Sequence, residues 1–279
     1  MINNAGVMLL GPIVDAPVEE WDRMIELNLQ GLLYVAHAAL PHLLATAADG
    51  PRRVADLVNI SSVAGRRVGQ GGGIYQLTKH GVGVFSEALR QEVTARHVRS
   101  SLVEPGATES ELVTHVREEV RNNLTPSDNE ILKAEDIADA VVYIVTRPRH
   151  MAVNEILIRP TEQEPRRVAD LVNVSSVAGR RVGVGGGIYQ LTKHGVGTFS
   201  EALRQEVTAR HVRSSLVEPG ATESELVTHV REEVRSQLPP SADEILKAED
   251  ITDAILFIVT RPRHVAVNEV LVRPTDQVR

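Results

Sequence analysis

Apolar positions along this chain switch between two periods. From Val18-Glu19-Glu20-Trp21 onward, Trp21, Met24, Ile25, Leu27, Leu29, Leu32, Leu33, Val35 and Ala36 are dense at helical spacing and predict a largely covered helix. Residues 7–16, with Gly11, Pro12 and nearby Pro17, read as loop, and Asp49-Gly50-Pro51 as a closing turn. Val54 to Ile60 reads as a buried strand, and Gly65 and Gly71-Gly72-Gly73 as loop. From Tyr75 to about His97, Val82, Phe85, Leu89 and Val93 return to helical spacing. Ser101–Glu104 is a short strand stopped by Pro105-Gly106, and 107–133 is polar and partly helical. Glu135-Asp136 opens a helix over Ile137–Thr146, with acids where the helix dipole favours them, and Glu155–Ile158 is a last strand. Strands alternating with helices predict a Rossmann-like α/β fold: a parallel sheet with helices on both faces.

The same pattern then runs again. Pro51 to Thr161 returns from Pro165 to Thr275, always 114 positions later, and of 112 aligned pairs from Pro51/Pro165 to Glu162/Asp276 only 16 differ. The period is too long for a solenoid and points to a gene duplication. It divides the chain into units 1–162 and 163–279, with the boundary near Glu162-Gln163-Glu164-Pro165, and residues 1–50 have no second copy. Ile60 becomes Val174, Tyr143 becomes Phe257 and Ile156 becomes Val270, so apolar character persists and the second copy is expected to pack.

Composition adds limits. A net charge of −7 gives no positive field for nucleic acid. The lack of cysteine removes disulfides, thiolate metal sites and thiol catalysis, and His80, His97, His115 and His150 show no metal spacing. No signal core follows Met1, and no apolar run is expected to reach the roughly 18 residues of a membrane span. These readings predict a soluble cytoplasmic protein with no metal, no membrane and no nucleic-acid partner. Glu118-Glu119 and Arg147-Pro148-Arg149 read as surface charge, and Arg52-Arg53 and Arg66-Arg67 as basic pairs.

Tyr75-Gln-Leu-Thr-Lys79 carries the candidate chemistry. A spacing of four puts phenol and ammonium on one helical face, where the cation is expected to lower the Tyr75 pKa and fit it for proton exchange with an alcohol oxygen. Ser62, at the end of the preceding strand, could bind the same oxygen. Ser176, Tyr189 and Lys193 repeat the arrangement. Tyr-x-x-x-Lys alone is a weak signal, since the two side chains can simply share a helix. Here it comes with Asn-Ile-Ser-Ser on a strand, a glycine-rich loop, and Pro-Gly after the next strand.

With these motifs the chain resembles the short-chain dehydrogenase/reductase family, once over 1–162 and again over 165–276. Asn3-Asn4-Ala5-Gly6 matches the family's Asn-Asn-Ala-Gly motif, and Asn28 its helix asparagine, which supports a proton-relay water. Ser62, Tyr75 and Lys79 complete its tetrad, and Pro105-Gly106 matches the turn beside the nicotinamide. Ser110 stands where the family usually has a carboxamide-binding threonine.

The resemblance implies an oxidoreductase that passes hydride between NAD or NADP and a small alcohol or carbonyl substrate. Tyr75 would be the general acid/base, Lys79 would bind the nicotinamide ribose, and Ser62 would position the substrate oxygen. Asn3, Ala5, Gly6, Tyr75, Lys79, Pro105, Gly106 and Ser110 would border the cofactor, and 107–133 would form a lid.

The family's opening strand and Thr-Gly-x-x-x-Gly-x-Gly turn have no counterpart in residues 1–279. Gly71-Gly72-Gly73 and Gly185-Gly186-Gly187 follow the serine strand and do not replace them. The chain therefore reads as N-terminally truncated, with its first sheet-edge strand exposed and its catalytic half duplicated. Two readings stay open: an enzyme, or a non-catalytic remnant or interaction module unable to hold the dinucleotide. A start codon misplaced before a tandem duplication would also produce this pattern. Family members often dimerise across the final strand, so a homo-oligomer or an intrachain pseudo-dimer is expected, with Glu155–Arg159 near Glu269–Arg273.

Overall fold

The computed structural model describes residues 1–14, 16–121, 131–161, 169–182, 187–230 and 245–277. The expected unit boundary at 162–165, Gly185, Gly186 and part of the expected lid lie outside them. In the first unit the strands are β1 (Ile2–Asn3), β2 (Ala55–Ile60), β3 (Val98–Pro105) and β4 (Met151–Pro160). Its helices are α1 (Val18–Ile25), α2 (Leu32–Asp49), α3 (Gly73–Val93), the single turn α4 (Glu118–Arg121) and α5 (Ala134–Val145). The second unit supplies β5 (Ala169–Val174), α6 (Gly187–Val207), β6 (Val212–Pro219), α7 (Ala248–Val259) and β7 (Val265–Pro274).

The strands form one sheet in the order β1-β2-β3-β4-β7-β6-β5. Every described pairing is parallel except β4 with β7, which is antiparallel. That seam joins the two units: Glu155 faces Leu271, Ile156 faces Val270, and Leu157 faces Glu269. The two final strands thus meet within one chain, as in a two-fold dimer.

Alternation along β3 separates the layers. Leu102 packs with Val82 of α3 on one face, and Val103 joins Ala140, Tyr143 and Ile144 of α5 on the other. The buried positions of α3 run Tyr75, Thr78, Lys79, Val82, Ser86, Leu89, Arg90 and Val93, a helical stripe. At the start of α5 the Lys133 N–H donates to the Asp136 carboxylate at 2.8 Å, and Lys247 and Asp250 repeat this at 2.7 Å before α7.

One apolar core crosses the seam. It includes Val153, Ile156 and Ile158 of β4 with Val267, Val270 and Val272 of β7. The Tyr143 and Phe257 rings stack at 4.1 Å between centroids. Polar contacts cross it in both directions. His150 reaches Asp250 at 2.9 Å and His264 reaches Asp136 at 2.8 Å, each pair being the other with its units exchanged. Arg66, read from sequence as part of a basic pair, lies in the seam instead. It bonds Glu104 and Glu155 at 2.7 Å each and Glu269 at 2.5 Å. Arg180 mirrors it, bonding Glu218 at 2.6 Å, Glu269 at 2.8 Å, and Glu155. Burial alone would push the Glu155 pKa up, but Arg180 and Arg66 outweigh it and hold the carboxylate below its ordinary range.

The expectation of no long apolar run needs correction. Val18–Asp49, continuous through a π-helical turn, is long and apolar enough by length and composition to cross a membrane, with a mean hydropathy of 1.3 over its best window. The reason is the Leu- and Ala-rich stretch after Glu26, which carries no Asp, Glu, Lys or Arg until Asp49. In the fold, Ala36 and Ala47 of this run pack against Leu57, Leu89 and Val93.

Candidate active site

The candidate residues of the first unit converge at the carboxyl ends of β2 and β3. Ser62 follows β2 in extended conformation and caps a short 3₁₀ turn, its Oγ accepting from the Ala64 N–H at 3.1 Å. The same hydroxyl donates to the Pro105 carbonyl at 3.4 Å and lies near enough to the Tyr75 phenol to favour its ionised form. Tyr75 enters from the first turns of α3 and is only 7% exposed, packed in a cluster with Val7, Leu9 and Met24. Lys79, one turn on, donates to the Ile60 carbonyl at 3.1 Å and stands 5.8 Å from the Tyr75 ring centroid.

The electrostatics differ from the sequence expectation. Tyr75 is pushed above its ordinary pKa rather than lowered, because burial disfavours the phenolate more than the nearby Ser62 side chain favours it. Lys79 is itself desolvated, and burial brings its pKa down to about 8. The lysine stays mainly charged at neutral pH but gives up its proton far more readily than an exposed one.

Asn28 lies in the π-helical turn Glu26–Gly31 between α1 and α2 and is 2% exposed. Its Oδ1 accepts from the Val7 N–H at 2.8 Å, while Nδ2 donates to the Val7 carbonyl at 2.9 Å and to Thr78 Oγ1 at 3.1 Å. Thr78 Oγ1 donates in turn to the Tyr75 carbonyl at 2.8 Å. Sequence reasoning missed this threonine, although it is fully buried and lies inside Tyr75-Gln-Leu-Thr-Lys79. Its spacing of three from Tyr75 was the available signal.

The expected cofactor residues are placed unequally. A Cβ at Gly6 would lie 3.4 Å from Asn28 Oδ1 and 3.8 Å from Lys79 Nζ, so Gly6 leaves a cradle against both. Asn3 is buried and gives its amide to Asn59 Oδ1 at 2.8 Å, and Ala5 is exposed beside it. Pro105 closes β3, and the Gly106 N–H donates to the Ile158 carbonyl at 2.7 Å. Ser110 is exposed, its hydroxyl 3.4 Å from the Thr108 carbonyl.

The repeated set is not assembled alike. Ser176 caps its turn as Ser62 does, and Lys193 stands 5.7 Å from the Tyr189 ring. Yet Tyr189 is 41% exposed, and Thr192 is exposed where Thr78 is buried. Residues 1–50, which supply Val7, Leu9, Met24 and Asn28 to the first site, have no second copy. A surface hollow of about 600 Å³ lies elsewhere, lined by Arg52, Val54 and Val145 to Arg149 at the opposite end of β2. Among the described residues no cluster of His, Asp and Glu is placed to hold a metal.

Residues 1–121 and 153–235 match the short chain dehydrogenase family, and the chain belongs to it. An uncharacterized oxidoreductase of Staphylococcus aureus (strain MRSA252) is 36% identical over 160 residues, 57% of this chain and 63% of that protein. An uncharacterized oxidoreductase of Staphylococcus saprophyticus is 32% identical over 166 residues, 58% and 65% of the two chains. Among solved structures, the closed form of a serine dehydrogenase complexed with NADP+ superposes with a TM-score of 0.51 at 31% identity, covering 60% of this chain and 66% of that one. The chain thus spans a little less than two thirds of the length of these proteins.

Proposed function

We propose that the first unit is an NAD(P)-dependent oxidoreductase site acting on a small alcohol or carbonyl, with Tyr75 as general acid/base. The observation that carries this reading is the meeting of Ser62, Tyr75, Lys79 and the Asn28–Thr78 support at one end of the sheet. The serine dehydrogenase neighbour, complexed with NADP+, supports a nicotinamide dinucleotide as the cofactor class.

The residues present fit the nicotinamide-ribose end of such a cofactor. Gly6 provides space beside Lys79 and Asn28, and the buried Lys79 ammonium has donors beyond the one given to Ile60. When bound, the cofactor supplies hydride exchange with the substrate carbon. Raised by burial, the Tyr75 phenol is held protonated at neutral pH, the form that donates to a developing alkoxide during carbonyl reduction. Ser62 steadies the same oxygen. For alcohol oxidation Tyr75 must first lose its proton, so that direction gains with rising pH.

The exposure of Tyr189 and Thr192 in the repeated set favours a second reading, a non-catalytic remnant or interaction module that does not hold the dinucleotide. Titration with NADH and NADPH separates the two. Saturable micromolar binding supports the enzyme, whereas no binding up to millimolar concentration supports the remnant.

A further inference from the structure

Arg66 and Arg67 read alike in sequence, but only Arg66 is spent on the carboxylates of the seam. Arg67 turns to the second unit and meets Glu201 of α6 at 3.0 Å. The same carboxylate takes Arg204, one turn on, at 2.7 and 2.8 Å. Arg159, near the end of β4, completes the group. It is partly buried and donates from Nη1 to Asn268 Oδ1 at 3.2 Å, and among the described residues no carboxylate lies within ion-pair distance of it. Burial and the adjacent Arg204 and Arg67 bring its pKa down to about 10. Three guanidiniums thus crowd one carboxylate, and the next, Glu269, is already held by Arg66 and Arg180.

The group borders the first-unit site. Arg67 lies just past the short turn Val63–Gly65 that Ser62 caps. The Ser62 hydroxyl donates to the Pro105 carbonyl at 3.4 Å, and the Gly106 N–H to the Ile158 carbonyl at 2.7 Å, one residue from Arg159. A Cβ at Gly106 would come within 3.3 Å of the Arg159 Cα. The duplicated cluster, Arg273, Arg90, Arg181 and Glu87, has the same composition but is closed. Arg273 is 3% and Arg90 2% exposed, and the Gln277 carbonyl accepts from Arg90 at 2.9 Å. In the Arg159 cluster the Arg67 side chain is 56% exposed, so a ligand can reach it from solvent.

We propose that Arg67, Arg159 and Arg204 bind a dianionic phosphate group, and that the substrate of the first unit is a phosphorylated alcohol or carbonyl whose phosphate they hold. The second part rests on the oxidoreductase reading above. Charge selects the ligand. Three cations less Glu201 leave two positive charges, and a phosphate monoester carries about −1.5 to −2 near pH 7. Guanidinium suits it, since its planar N–H fork matches phosphate oxygens in pairs. A partly desolvated cation without a counter-charge is destabilising, and the anion relieves it. Arg204 reaches the group from the second unit, so the duplication completes a site that the first unit alone lacks.

Calorimetric titration of the full chain with inorganic phosphate tests the anion site. Saturable binding is expected, weakened at least about tenfold by Arg159→Gln. Arg67→Gln should weaken it too, and at an exposed side chain it leaves folding undisturbed, while Arg23→Gln, exposed on α1, should change nothing. A panel of short alcohols paired with their phosphate monoesters, run with NADP+, tests the substrate class. The phosphorylated members should have kcat/KM at least about tenfold higher, and Arg159→Gln should remove that preference through KM with kcat little changed. Absence of saturable phosphate binding, or binding indifferent to Arg159→Gln, overturns the site. Equal kcat/KM for neutral and phosphorylated members overturns the substrate class. Phosphate binding that needs Arg159, with no turnover of any alcohol, sinks the oxidoreductase reading and leaves the anion site standing.

Discussion

The two units of this chain are a natural experiment in context. Tyr75-Gln-Leu-Thr-Lys79 and Tyr189-Gln-Leu-Thr-Lys193 are the same five residues on helices that differ at one position, Val84 against Thr198. In the first, residues 1–50 bury the tyrosine, engage the threonine through Asn28 and desolvate the lysine. In the second, tyrosine and threonine face solvent. A motif supplies groups, and the element packed over it decides whether those groups share a dry site with shifted pKa values.

The largest expected consequence is catalytic. On the proposed function, Tyr75→Phe should lower kcat by about 10²–10⁴-fold, the usual contribution of a general acid/base, and Tyr189→Phe by less than about twofold. Steady-state rates of both variants with one substrate check this, and equal losses would remove the asymmetry. Next comes stability. Leu57→Ala empties a fully buried site and should cost about 2–5 kcal/mol, whereas Leu171→Ala should cost less than about 1 kcal/mol. Urea unfolding of the two variants reads the difference.

The smallest effect is in pH dependence. Lys79 is depressed to about 8 from an ordinary 10.5, so the unfolded chain binds more protons between those values. This unfavourable term is fully present below about pH 8 and is relieved as pH rises toward 10.5, so Lys79 should add an upward slope of stability in that window. Lys79→Met should remove that slope in denaturation curves taken from pH 7 to 10.

Much of this fold is legible in local pattern. The strand at Val54–Ile60, the helix from Tyr75 and the helix after Glu135-Asp136 all lie where periodicity and acidic first turns place them. The edges were harder to read. β3 begins at Val98, before the expected Ser101, because Arg99, Ser100 and Ser101 are buried with distant partners: Asp56 at 2.6 Å, the Ser86 carbonyl at 3.0 Å and the Val153 carbonyl at 2.7 Å. β4 extends to Met151–Pro160, well beyond Glu155–Ile158, because β7 pairs along it.

The site was legible as a set of residues, and its electrostatics were not. A spacing of four places Lys79 near Tyr75, but the sign of the tyrosine shift depends on Val7, Leu9 and Met24 closing over the ring. The π-helical turn that turns Asn28 inward leaves no mark in hydrophobic periodicity. Nor does Arg66 announce its place among carboxylates from both units.

Amide hydrogen exchange on the full chain tests the central claim most directly. The segments 73–93 and 187–207 have nearly identical intrinsic rates, and peptides containing position 84 or 198 are told apart by mass. If residues 1–50 cover only the first unit, β2 and α3 should exchange far more slowly than β5 and α6. Equal protection of the paired segments would contradict the account.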